Sequence, residues 1–504
     1  MKRNPIRAAA VLVVAFSCPA SAGDPDIPAF KAYEQPTYTL VTHDKYTASE
    51  IPGQTARIDA FLTQQLAIPV HTPNLPTRIL VIPTDLWLRY FETSDDIDSE
   101  FVPAPFANYL LLQHSVNSHQ VRFELFHEYT HAFLRSQMKR YYPFWFDEGM
   151  ATLIQYSRFH DTKVEIGMPL LASSAWIPVA RLFQLDRSSP EYRSETQAFS
   201  VHYGSWALVH LAVIEDPVFN KQLFDFLAAL NNLYPIDKAM EKSFDVSADE
   251  LDLRMRRYVQ KASLDAFFEV KVPRVPPPKV PPGRDMSAAE SLEVLAEAML
   301  AAGTKPERLA ELIDAAYRKA PDSPKVLALR MRLAARDRDD AALGRLLAEL
   351  EPRASDARVA RGAGLALFER VRGSKPGDPM SPADRERLSR RAFELLDRAV
   401  MSKPDDVEAI WGYAMLAAQL KQDLAIALRR LDSGMAIASY NADLAMAAAM
   451  VYEALGEQKK MIPFLVVTAR MSSRTEQREW AIKRVNEVLA SQAAAPTAIP
   501  TATK

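Results

Sequence analysis

Between Val270 and Gly283 the chain reads Val-Lys-Val-Pro-Arg-Val-Pro-Pro-Pro-Lys-Val-Pro-Pro-Gly. Proline has no N–H to donate and a fixed φ, so a run like this favours a stiff, extended connector over helix or sheet interior. Composition changes across it. Upstream, aromatic residues are dense and strand-like runs occur; downstream the chain is rich in Ala, Leu, Arg and Glu with few aromatics. At 504 residues the chain is also too long for one core. The expected layout is a leader over 1–22, a mixed domain over 23–268, the linker over 269–284, a helical domain over 285–490 and a disordered tail over 491–504.

In the upstream part, Tyr38–Thr42, Thr77–Pro83 and Asn108–His114 carry β-branched and apolar runs that predict strands. The segment Val121–Arg140 holds Val121, Phe123, Leu125, Phe126, Tyr129, Ala132, Phe133 and Leu134 without Pro or Gly, and so predicts a buried helix. Pro143 opens a second predicted helix over 144–156.

The first helix contains Phe126-His127-Glu128-Tyr129-Thr130-His131, and the second contains Trp145-Phe146-Asp147-Glu148-Gly149-Met150-Ala151. Histidines four apart share one helix face, so His127 and His131 can reach one cation while Glu128 points into the same cleft. A catalytic zinc takes three protein ligands, and Glu148 from the second helix would complete the set. Such a site brings the pKa of a bound water down to about 7, with Glu128 placed to accept the proton and pass it on. Asp147 and Thr152 are candidates to hold the histidines from behind. The competing reading, core histidines and a surface carboxylate, leaves ionisable groups inside apolar helices without a partner.

At these residues the chain resembles the gluzincin metallopeptidases, in particular a peptidase MA-like branch whose second helix carries Trp-Leu-x-Glu-Gly-Leu-Ala. The likeness covers residues 35–262. It implies an α+β zincin-like fold, a Zn2+ cofactor held by His127, His131 and Glu148, and Glu128 as general base. A later segment, Phe199 to His210, is similar to the branch's Tyr-x-x-Ser-Trp-Ala-Leu-Val-His stretch. Where relatives tend to have the tyrosine this chain has His202, with Tyr203 next to it, and either could stabilise the oxyanion. An edge strand that aligns substrate by main-chain pairing is expected at Asn108–His114, from its position before the metal helix. No Gly-x-Met-x-Asn motif precedes His127, which argues against an aminopeptidase.

Downstream, a weak repeat shows through. Ala392, Leu396 and Ala399 followed by Pro404 match the second helix and closing proline of a tetratricopeptide repeat; Ala316 to Pro321 has the same offset, and Ala448, Tyr452 and Gly456 suggest another unit. Prolines 321 and 352 lie 31 apart, close to the repeat's period of about 34. A Gly- and Pro-rich insertion falls at Gly373–Ser381. The expected fold class is therefore α+β followed by an all-α helical-repeat domain, with the repeats offering a surface for a protein partner.

Lys2, Arg3 and Arg7 precede an apolar run over 8–16 and Ala20-Ser21-Ala22, which together read as a secretory signal cleaved near Ala22. A periplasmic or secreted protein is expected. Phe16 two residues before Cys18, the one cysteine, fits lipoprotein processing badly. Without the leader the chain has 58 basic and 63 acidic residues, no cysteine and no basic block, so neither disulfides nor nucleic acid enter the reading. The function expected is an exported zinc metallopeptidase whose repeats recruit substrate or partner proteins; the alternative is a non-catalytic cell-envelope scaffold with a structural or vestigial zinc site.

Overall fold

The computed structural model describes residues 25–66, 75–91, 98–114, 118–136, 142–167, 176–194, 196–261, 268–276, 278–303, 306–373, 378, 380–472 and 474–493. The expected leader, with Cys18 and Ala22, lies outside them, as does the tail from 494. The strands in chain order are β1 (Lys31–Glu34), β2 (Thr39–Thr42), β3 (Thr77–Ile82), β4 (Ser99–Ala104), β5 (Ala107–Gln113), β6 (Arg158–Phe159), β7 (Lys163–Ile166), β8 (Phe268–Lys271) and β9 (Arg284–Asp285). Six form a mixed sheet of order β4-β5-β3-β2-β1-β9, and β6-β7-β8 form a smaller antiparallel one.

β5, β3 and β2 run parallel, while β4 pairs antiparallel with β5 in the register Ser99↔Leu112 and Phe101↔Leu110. The strand expected as the sheet edge, Asn108–His114, is thus an interior strand. Its near-continuous apolar run, Tyr109-Leu110-Leu111-Leu112, is what burial on both faces demands, and β4 with Glu100 and Pro103 takes the edge instead.

Strand alternation sends Leu40, Ile79, Val81, Leu110 and Phe101 to the front face and Val41, Leu80, Ile82, Leu111 and Val102 to the back. The front is covered by α1 (Lys45–Leu66) and α2 (Ser118–Ser136), followed by α3 (Phe144–Gln155), α4 (Ala198–His210), α5 (Pro217–Asn231), α6 (Ile236–Ser243) and α7 (Ala248–Lys261).

The back is covered from across the proline-rich segment. That segment starts inside β8, where Glu269 pairs with Glu165, and ends at Arg284 in β9, which pairs with Ala32 of β1. Gly283 is needed there, because a Cβ would lie 2.6 Å from the Tyr33 ring. Then come α8 (Ala288–Ala302) and α9 (Pro306–Lys319), whose Leu295, Met299, Leu312 and Ile313 share one core with the back face. Arg78 on β3 pairs with Glu297 on α8 at 2.6 Å, and Arg89 pairs with Glu311 on α9.

From α8 onward the described chain is helical: α10 (Pro324–Asp337), α11 (Asp340–Leu350), α12 (Ala357–Arg372), α13 (Pro382–Ser402), α14 (Val407–Leu420), α15 (Leu424–Ile437), α16 (Ala442–Ala454), α17 (Gln458–Met471) and α18 (Thr475–Ala493). The first helices α8, α10, α12 and α14 each pack on their own second helix and on the first helix of the next pair, and the last helix, α18, packs on α17. The first helices begin at Ala288, Pro324, Ala357, Val407, Ala442 and Thr475, spacings of 36, 33, 50, 35 and 33. Helical repeats are therefore present, and the long spacing coincides with the expected insertion at Gly373–Ser381. Ala392, Leu396 and Ala399 lie buried on a second helix, as their pattern predicts. No helix among the described residues is long and apolar enough to cross a membrane.

Candidate metal centre

α2 is buried along most of its length, with His127 at 9%, Glu128 at 8% and His131 at 3% exposure. Their nearest polar partners are fixed by the elements packed on α2. Glu148, 0% exposed on α3, lies with Oε2 3.5 Å from His127 Nε2 and 3.7 Å from His131 Nε2, and the two Nε2 atoms are 3.2 Å apart. The ligand-type atoms of these three residues all lie within 4.8 Å of one another, so the group can hold a metal ion.

What lies behind the imidazoles sets which nitrogen faces inward. Asp147 Oδ1 sits 2.9 Å from His131 Nδ1, and Gln155 Oε1 sits 3.2 Å from His127 Nδ1, so both rings present Nε2 to Glu148. Asp147 is thus where the sequence places it. Thr152 is not: its hydroxyl is buried without a hydrogen-bond partner among the described residues, and Gln155, one turn nearer the helix end, takes the second histidine. Phe101 of β4 stacks on His131 at 5.9 Å. Ser99 Oγ lies 2.8 Å from both Glu128 Oε1 and Glu124 Oε2, so its one proton serves either carboxylate in turn.

α4 reaches the site because α3 lets it approach. A Cβ on Gly149 would stand 2.5 Å from the Ser205 carbonyl oxygen, so only glycine permits this contact. His202 then places Nε2 3.4 Å from Glu148 Oε2. Tyr203 points elsewhere: its ring stacks on Phe199 and Trp206 and meets Trp176 edge-on. Of the two candidates, His202 joins the cluster and Tyr203 is packed into the core. His210, at the end of the same motif, is a neutral core histidine, pushed down to about 4 by burial and bonded through Nδ1 to Tyr258 at 2.6 Å.

Three residues at the site carry no signal in the sequence. Arg187 reaches Asp147 at 3.3 Å and Glu148 at 3.8 Å, and burial notwithstanding, these carboxylates hold it protonated. The Tyr192 ring lies 5.8 Å from His202. Its phenol is driven well up by burial and then by Glu148, against the pull of Arg187. Glu100 is pushed up to about 7 by burial and by Glu128. Arg187 and Tyr192 come from a stretch of turns and a four-residue helix with no periodicity to read.

The electrostatics are those of a buried carboxylate surrounded by imidazoles. Burial alone would raise Glu148, yet His131, His127 and His202 hold it well below the usual carboxylate range. Burial would lower His127, yet Glu148 and Glu128 lift it to about 9. Both Glu148 oxygens are sealed from solvent with no hydrogen-bond partner among the described residues. Two imidazole nitrogens and an orphaned carboxylate converging in a buried place suit a divalent ion with N and O ligands.

No family model matches the chain, and no curated protein matches it in sequence. Among solved structures, a tetratricopeptide-repeat protein of Thermus thermophilus is similar over 40% of this chain and 100% of its own, at 14% identity and a TM-score of 0.32.

Proposed function

We propose that this chain is an exported, zinc-dependent metallopeptidase of gluzincin type, with a helical-repeat region that recruits substrate or partner proteins. The observation that carries this reading is Glu148: a fully buried carboxylate without a hydrogen-bond partner among the described residues, facing two histidine Nε2 atoms whose Nδ1 atoms lie beside Asp147 and Gln155, with a second carboxylate, Glu128, in the same helix as the histidines. His127, His131 and Glu148 would hold the ion. When bound, zinc supplies the Lewis acidity that activates water and polarises a carbonyl.

Glu128 takes the water's proton at a carboxylate oxygen and later delivers it to the leaving amine. Ser99 steadies that carboxylate. His202 would donate an N–H to the developing oxyanion. An extended substrate would pair with β4, whose alternate main-chain groups at Ser99 and Phe101 point away from β5, beside the site.

The test is metal analysis and peptide-library cleavage on wild type and Glu128→Gln. The variant is expected to keep about one zinc per chain while hydrolysis falls roughly 10²- to 10⁴-fold. Zinc without hydrolysis in wild type would favour the scaffold, and a chain without metal would remove the ligand set.

A further inference from the structure

The metal stripe of α2 does not end at His131. One turn further, Arg135 sends Nη2 to the carbonyl of Ala104, the last residue of β4, at 2.7 Å. Its Nη1 is sealed from solvent and has no hydrogen-bond partner among the described residues. This is the point where the far end of the helical array returns to the site-bearing half. Asn441, the cap of α16, bonds the Pro105 carbonyl at 2.9 Å, and Thr475, at the start of α18, reaches Asp186 beside Arg187 at 3.1 Å.

Arg474, next to α18, closes the seam from the array side, paired with Asp443 and bonded to Gln477 at 2.7 Å. Between these groups lies a cleft of about 60 Å³ whose lining includes Pro103, Arg135, Asp443, Ser472, Arg474 and Gln477. That is room for a carboxylate or a few waters.

The charge there is out of balance. Arg474 is paired with Asp443 and Arg187 with Asp147 and Glu148, which leaves Arg135 without a carboxylate in contact among the described residues. The guanidinium of Arg135 is pushed down to about 10, by burial first and by Arg187 and Arg474 after it, although Asp443 and Asp147 pull the other way. A cation in this position gains most from an anion that can take both its nitrogens.

Resting on the peptidase reading above, we propose that the seam between β4, α2 and the array is a carboxylate subsite for the peptide substrate, with Arg135 and Arg474 as its ligands. From Phe101, over His131, to Ala104 is three residues along β4, about 10 Å. The substrate class is therefore peptides bearing a carboxylate two to three residues from the bond that is cut. That carboxylate is either an acidic side chain or a free C-terminus. The array thus supplies part of the specificity pocket.

The experiment measures binding to the zinc-loaded full chain carrying Glu128→Gln, so that bound peptides persist. The probes are N-acetylated, C-amidated hexapeptides with one Glu at each position in turn, their Gln twins, and a Gln peptide with a free C-terminus. At least one carboxylate probe is expected to bind roughly tenfold tighter than its neutral twin, a difference of about 1.4 kcal/mol. Which probe gains tells side chain from terminus.

The preference should fall to near unity when Arg135→Met or Arg474→Gln is added. Arg474, with 42% of its side chain exposed, keeps the test open if the Arg135 variant does not fold. Equal binding of carboxylate and neutral probes, or a preference that survives both substitutions, overturns the subsite. Cleavage of the same probes by wild type is the separate arm. Carboxylate-dependent binding without cleavage leaves the subsite standing and sinks the peptidase, and cleavage indifferent to carboxylates does the reverse.

Discussion

The six-stranded sheet is covered by helices on both faces, and the two covers are made of different material. Behind it, α8 and α9 contribute Leu292, Leu295, Met299, Leu309, Leu312 and Ile313, all at 0–1% exposure. In front, α2 and α3 bury His127, Glu128, His131 and Glu148 among their apolar residues. Burying an ionised group costs several kcal/mol unless a partner answers it, whereas each buried leucine contributes about 1.5–3 kcal/mol. The front face therefore carries a cluster of buried ionisable groups within its apolar core, and the proline-rich segment is what carries the chain from one cover to the other. The helical array is part of the scaffold of the site-bearing half as well as an appendage to it.

The comparison breaks most visibly at Leu312. Replacing it by alanine should lower unfolding free energy by about 2–5 kcal/mol, measured by urea denaturation, with the metal content of the folded fraction unchanged. A parallel loss of metal would mean the faces are coupled through the strands.

Gly149→Ala asks the opposite question. The added methyl must displace the Ser205 carbonyl or the Val209 side chain, at 2.5 and 2.6 Å. The expected cost is about 1–3 kcal/mol, smaller than at Leu312. Yet the change lies beside Glu148 and moves α4, so metal content should fall where Leu312→Ala leaves it intact. Melting and zinc stoichiometry equal to wild type would show that the helix contact does not set the site.

These two positions differ in legibility as well. The front cluster could be read in the sequence because its members sit on regular helices: a spacing of four from His127 to His131 needs no tertiary information, and Glu148 follows in the next helix. Asp147 was legible for the same reason. Gln155, Ser99, Arg187 and Tyr192 were not, because each reaches the site through packing between elements. The choice between His202 and Tyr203 also depended on how α4 is rotated against α3, which Gly149 permits but does not announce. At the back, helicity and the near-regular spacing were legible, but the docking of α8 and α9 on the sheet was not. An apolar helix face states that it is buried without naming its partner, and the prolines between the halves suggested separation. The edge strand is hidden in the sequence because β5 carries the clear apolar run, while Glu100 and Pro103 obscure the strand pattern of β4.

The third effect, seen only as a pH dependence, belongs to a polar contact in the front cover. Asp59 on α1 accepts a hydrogen bond from the Tyr129 hydroxyl at 2.9 Å, next to Glu128 in sequence. Burial pushes its carboxyl up to about 7, although the Tyr129 bond works against the shift. In the unfolded chain the group returns to its ordinary range near 3.8. Between those values the folded state holds a proton that the unfolded state has released. Stability from this group is therefore full below about pH 4 and is lost as pH rises through about 7. Asp59→Asn keeps an acceptor for Tyr129 but cannot ionise, so the stability difference between the two proteins should move in the variant's favour across that window, by about 1.4 kcal/mol per pH unit and roughly 4 kcal/mol over the full shift. Thermal melts of both proteins from pH 4.5 to 8, with metal chelated so that its binding does not contribute, would separate the curves. Parallel profiles would mean that Asp59 is ionised in the folded protein throughout, and that the front face tolerates one more buried charge than its packing suggests.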